Sequence, residues 1–172
     1  TGNLLRDSVG PCVRLRSGAD NSTVLGNNLV ACSRGVEVNA QCDAVKIWHN
    51  TIHASTAAGI FLNSSSAGAD VRDNLVTQST GWGIDASAGS LTVIDANDLF
   101  QNAGGACRAC ATLGPGAQAV APGYLDAAAR DLRIVKSSPL VDAAVDTGVD
   151  RNGPGPGRFY GTAPDIGAWE AQ

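Results

Sequence analysis

The sequence predicts an all-β solenoid, a chain wound into stacked coils of short parallel strands, on three observations. A motif recurs at intervals of roughly 23 residues, apolar triplets flank each copy, and nothing has helical spacing before residue 120. The motif is Asn-x-[Leu/Ile/Val]-x-x-[Ser/Asn] followed within four residues by Gly. Its five copies are Asn3-Leu5-Ser8-Gly10, Asn28-Val30-Ser33-Gly35, Asn50-Ile52-Ser55-Gly59, Asn74-Val76-Ser79-Gly83 and Asn97-Leu99-Asn102-Gly105. The Asn residues are 25, 22, 24 and 23 positions apart. After the Gly come Val13-Arg14-Leu15, Val36-Glu37-Val38, Ile60-Phe61-Leu62 and Ile84-Asp85-Ala86; before the Asn come Val24-Leu25, Val45-Lys46-Ile47, Val71-Arg72 and Val93-Ile94. Apolar-polar-apolar triplets put alternate side chains inside, and coils stacked at about 4.8 Å bury together what no single coil can bury alone.

The Asn has a mechanical role in such a coil: it tolerates the left-handed backbone of a sharp corner, and stacked amides hydrogen-bond as a ladder. The repeated Gly residues read as corner positions of unusual φ. A leucine-rich repeat shares the period, and Ile47-Trp48-His49-Asn50-Thr51-Ile52 fits its core. The other consensus leucines are missing, however, and a second strand stands where that repeat turns to its convex side. Residues 1–113 are read as about five coils. Residues 114–172 are read as a capping segment packed on the last coil, where Leu132, Ile134, Leu140, Val141, Val145, Phe159, Ile166 and Trp169 can cover open strand edges. Asn3 already lies inside a repeat, so the N-terminal end is expected to continue into upstream coils or to dock on another chain, a second copy included.

Composition narrows the function classes. The 172 residues carry a net charge of −4 with scattered basic residues, which leaves no footprint for nucleic acid, and no apolar run is long enough to span a membrane. Of five cysteines, Cys107 and Cys110 form a C-x-x-C without further ligands nearby, read as a local disulfide or two buried thiols rather than zinc. Cys12, Cys32 and Cys42 can pair between neighbouring coils, in a pattern the sequence leaves open.

The N-x-I-x-x-S-x-x-G-[IV] coil resembles the repeat of right-handed parallel β-helix proteins of the pectate-lyase-like kind. The tail is similar to that of bacterial secreted or surface members, through Pro122-Gly123-Tyr124-Leu125-Asp126, Asp131-Leu132-Arg133-Ile134, Ser137-Ser138-Pro139-Leu140-Val141-Asp142-Ala143 and Asp165-Ile166-Gly167-Ala168-Trp169-Glu170. Ala144 stands where that pattern has Gly. The resemblance implies an extracellular or cell-surface protein and, where there is a site, one on an outward sheet face that meets polysaccharide.

Aligning the coils stacks Trp48, Arg72 and Asp95 on one face, with Lys46 beside Asp70; Arg14, Glu37, Phe61 and Asp85 stack on another. Trp48 and Arg72 suit a glycan, because an aromatic face packs on sugar rings and a guanidinium binds a uronate carboxylate in two places. Cross-coil salt bridges on a solvated sheet are the plainer reading of the same charges. The leading expectation is a carbohydrate-binding or adhesive module. Its rivals are a polysaccharide lyase working through Lys46, Arg72 and His49 or His53, a glycoside hydrolase, and a structural stalk. For hydrolysis Glu37 and Asp85 fall two coils, or about 9.6 Å, apart with Phe61 between, against about 6.5–9.5 Å for an inverting pair. No cofactor is called for, except that Asp146, Asp150 and Asn152 in the tail offer hard oxygen ligands for calcium where Asx turns are the alternative.

Overall fold

The computed structural model describes residues 1–39, 41–63, 67–86, 91–149 and 159–171. Every regular element among them is a strand: β1 (Leu4–Arg6), β2 (Val13–Leu15), β3 (Thr23–Leu25), β4 (Asn28–Val30), β5 (Val36–Val38), β6 (Lys46–Trp48), β7 (Thr51–His53), β8 (Ile60–Leu62), β9 (Ala69–Arg72), β10 (Leu75–Thr77), β11 (Trp82–Asp85), β12 (Leu91–Asp95), β13 (Asp98–Phe100), β14 (Gly105–Arg108), β15 (Tyr124–Asp126) and β16 (Asp131–Ile134). Three parallel sheets run along the stack. Sheet 1 has the order β1-β4-β7-β10-β13, sheet 2 β2-β5-β8-β11-β14 and sheet 3 β3-β6-β9-β12. Because sheet 3 has only four strands, the solenoid makes about four turns rather than five. Among the described residues no helix is long and apolar enough to cross a membrane.

One or two apolar side chains per strand fill the axis: Leu29, Ile52, Val76 and Leu99 from sheet 1, Val36, Val38, Ile60, Leu62 and Ile84 from sheet 2, Val24, Ile47 and Val71 from sheet 3, each at most 5% exposed. The amide ladder beside them corrects the sequence register at one coil. Asn3, Asn27, Asn50, Asn74 and Asn97 form it, with each Nδ2 donating to the next Oδ1 at 2.9–3.0 Å. Asn28 is instead the first residue of β4, paired with Leu4 and Thr51. Two adjacent asparagines hid the choice, and the pairing of Leu29 with Ile52 settles it. The ladder amides meet their remaining needs locally; Asn74 Nδ2, for example, also donates to the Ile47 and Arg72 carbonyls at 2.8 Å.

The corners are built differently from the sequence expectation. The left-handed residue is the one before each ladder Asn, namely Gly2, Gly26, His49, Asp73 and Ala96, and a second follows each sheet 1 strand at Asp7, Ala31, Ala54, Gln78 and Gln101. Gly35, Gly59 and Gly83 have ordinary φ and are small for another reason. A Cβ on Gly35 would stand 2.7 Å from the Gly59 carbonyl oxygen, and one on Gly59 2.8 Å from that of Gly83. The coils therefore touch backbone to backbone along this column.

The tail is not a plug on the last coil alone. Residues 114–120 lie there, with Leu99 N–H donating to the Gln118 carbonyl and Val120 N–H to Asp98 Oδ1 at 2.8 Å. Beyond them the chain returns along the outer face of sheet 1, carrying the antiparallel hairpin β15–β16. Leu140, Ile134, Ala144 and Ile166 bury Leu75, the outward residue of β10, in a second apolar cluster. Contacts then follow down the stack: Tyr124 Oη to Thr77 Oγ1 at 2.9 Å, Ala168 N–H to Thr51 Oγ1 at 2.9 Å, and Arg130 to Asp7 at 2.6 Å. Of the apolar residues expected to cover the coils, Trp169 is the exception at 41% exposed. Disulfides join Cys12 to Cys32 and Cys107 to Cys110, while Cys42 is buried in the main core.

Candidate functional site on the outer sheet faces

Registers place the two outward rows as the repeat predicts. On sheet 3, Leu25, Trp48, Arg72 and Asp95 are aligned on successive coils, and Thr23, Lys46 and Asp70 form the adjacent row. On sheet 2, Arg14, Glu37, Phe61, Asp85 and Arg108 are aligned. What the side chains do there differs between the faces.

On sheet 2 the carboxylates are held by guanidinium groups. Glu37 lies 3.1 Å from Arg14 and 2.8 Å from Arg34, and also accepts from Asn39 Nδ2 at 2.7 Å. Arg34 in turn covers Phe61, its Cζ 4.2 Å from the ring centroid. Burial works to raise the Glu37 pKa, but the two arginines prevail and hold it below the ordinary glutamate value. Asp85 pairs with Arg108 through both carboxylate oxygens. A general acid needs a raised pKa and a proton to give; the arginines on Glu37 favour the opposite state.

Sheet 3 is more open. Lys46 is exposed and its ammonium stands 4.8 Å above the Trp48 ring centroid. The indole Nε1 of Trp48 is enclosed without a hydrogen-bond partner among the described residues. Arg72 Nε donates to Asp70 Oδ1 at 2.8 Å, leaving the guanidinium side chain 28% exposed. Asp95 belongs to the end of the stack instead, since its Oδ1 accepts from the Ala96 and Gly116 N–H groups at 2.8 and 2.9 Å. Lys46, Trp48, Asp70 and Arg72 are thus brought together on two adjacent coils, and Asp95 is drawn away from them.

Neither histidine joins that group, and both are buried. His49 is 7% exposed, at a left-handed corner, with Nε2 3.3 Å from Thr147 Oγ1 and 3.5 Å from Asp73 Oδ2. His53 lies under the tail, with Nδ1 2.8 Å from Thr77 Oγ1 and its ring edge-on to Tyr124. Burial, with Arg130 nearby, lowers its pKa. Asp73 shows the reverse: burial raises it to about 7, against the opposing hydrogen bond from Val145 N–H. The outward positions of sheet 1 form two rows, Leu4-Asn28-Thr51-Leu75-Asp98 and Arg6-Val30-His53-Thr77-Phe100, and their mostly polar character gave little sequence signal for this buried layer.

In the tail Asp146 Oδ1 accepts from Gly148 N–H at 2.8 Å, the Asx geometry, while Asp150 and Asn152 lie outside the described residues. No group of three or more His, Cys, Asp or Glu suited to a metal occurs among the described residues. The family of the right handed beta helix region matches residues 1–99, more than half of the chain and nearly all its coils. No curated protein and no solved structure matches it.

Proposed function

Because the chain belongs to the right-handed β-helix family, with its sheets stacked as open lateral faces, we propose that it is a glycan-binding module that holds acidic polysaccharide along sheet 3. The observation that carries this reading is the alignment of Trp48 with Arg72 on adjacent coils, with Lys46 over the indole. A sugar ring stacking on Trp48 displaces the Lys46 ammonium, a contact worth only about 0.5–1 kcal/mol at an exposed site. The freed ammonium then meets the sugar carboxylate. Arg72 keeps its Nε on Asp70 and turns its other N–H groups to the next unit. Adjacent coils are about 4.8 Å apart, so a chain along the stack meets a fresh rung at each step.

The two disulfides support a secreted or cell-surface setting, since such bonds persist in oxidising compartments.

Retention on immobilised acidic polysaccharide tests the reading, with absorbance of unsaturated product followed in the same wells. Retention without product is expected, falling about tenfold or more in Arg72→Ala and in Trp48→Ala. Retention equal to wild type in both variants would remove sheet 3 as the binding face. Product formation that depends on Lys46 would make the face a lyase site.

A further inference from the structure

Trp169 divides two hollows of about 360 and 350 Å³, the first within the tail and the second where the end of the tail meets the first coils. Leu125, Arg133 and Lys136 line the first, and Asn3 and Asn28 line the second. Each is near the lower end of the size that takes a small ligand. The indole is held out on a fixed backbone. Gly167 N–H donates to the Asp73 carbonyl and Ala168 N–H to Thr51 Oγ1, both at 2.9 Å, and Ala171 N–H donates to Asp165 Oδ2 at 2.7 Å. Core packing does not account for this exposure, because Ile166 and Ala168 on the same segment do the covering, at 1% and 6% exposed.

We propose that Trp169 and the two hollows form a second saccharide site, apart from sheet 3, that takes two neighbouring units of an acidic glycan, one on each side of the indole. A rigid aromatic presented between walls that mix apolar and polar groups suits a sugar's apolar face and its hydroxyl rim together. Charge decides the orientation. Lys136 is exposed, with no ion pair among the described residues, and Arg133 retains outward N–H capacity beyond its pairing with Asp131. Glu170, the carboxylate of that hollow, turns Oε1 back to Asp165 N–H at 3.0 Å. The uronate unit therefore lies beside Lys136. The other hollow has no charged side chain, and Asn28, only 7% exposed, has an amide oxygen without a donor among the described residues.

Calorimetric titration with tetrasaccharides of galacturonate, mannuronate and glucuronate tests the site on the intact chain. Binding to at least one is expected, weakened about tenfold or more in Trp169→Ala and largely kept in Trp169→Phe. Lys136→Gln is expected to weaken it and flatten its salt dependence. The double variant Trp48→Ala/Arg72→Ala, which empties sheet 3, is expected to leave this binding event in place. Thermal midpoints matched to wild type exclude misfolding as the cause of any loss. Failure of all three tetrasaccharides to bind, or undiminished affinity in Trp169→Ala, overturns the proposal. Binding lost only in the sheet 3 double variant also overturns it, and leaves the sheet 3 reading standing.

Discussion

Asp73 is the residue at which acid and the fold are coupled most directly. It is fully buried at a corner of the fourth coil, accepts Val145 N–H through Oδ1 and faces His49 through Oδ2. Burial raises its pKa to about 7 against the Val145 N–H and the Arg72 charge, and the Asp95 and Asp70 carboxylates add to the rise. An unfolded aspartate titrates near about 3.9. Over the interval between these values the folded chain holds a proton that the unfolded chain has released, so stability rises as pH falls from about 8 and levels off below about 4. Asp98, raised by burial to about 6, acts in the same direction. His53 opposes them: its lowered pKa contributes stability above about 6.5 that is lost as pH falls through the folded value. Asp73→Asn, which keeps an acceptor for Val145, is expected to stabilise by about 2 kcal/mol at pH 8 and to change little at pH 4. Urea midpoints at the two pH values check this, and equal effects at both would show that Asp73 is not the coupled group.

At the scale of elements, the tail and sheet 1 form one unit. Leu140 is completely buried against Leu75, Ile134 and Ile166, so Leu140→Ala is expected to cost about 3 kcal/mol. Dye binding to newly exposed apolar surface is the accompanying readout, and a stability loss below about 1 kcal/mol would mean that the tail is only loosely laid on the sheet. Strand periodicity, sheet membership and the outward rows on sheets 2 and 3 were legible in the sequence, because period-two triplets at near-constant spacing leave one register. Less was legible where neighbours compete, as with Asn27 and Asn28, or where different side chains share one backbone state, as at Gly26, His49, Asp73 and Ala96. The path of the tail was hidden for another reason. Its apolar residues were visible, but their docking partner is a face whose outward rows are mostly polar, with Leu75 an apolar exception between Thr51 and Asp98. For the candidate site, the sequence brought Trp48, Arg72, Lys46 and Asp70 together; it did not show that His49 and Asp95 are committed to corner and end contacts.

For the whole molecule, a stack of coils alone would behave as a one-dimensional array in which each turn feels only its neighbours. The returning tail changes that. It joins Asp7 of the first coil to Arg130, Thr51 of the third to Ala168, and Thr77 of the fourth to Tyr124. Unfolding is therefore expected to be a single transition in which backbone circular dichroism and tryptophan fluorescence coincide. Separate midpoints would show that coils fray independently of the strap. The contact between Asp7 and Arg130 spans 123 positions, and it sets an order in time. A ribosome delivers the coils first, while the strip over sheet 1 arrives last. Until then Leu75 faces solvent on the outer face of sheet 1, so the nascent solenoid passes through an interval in which its own late segment competes with neighbouring chains for the same apolar spot.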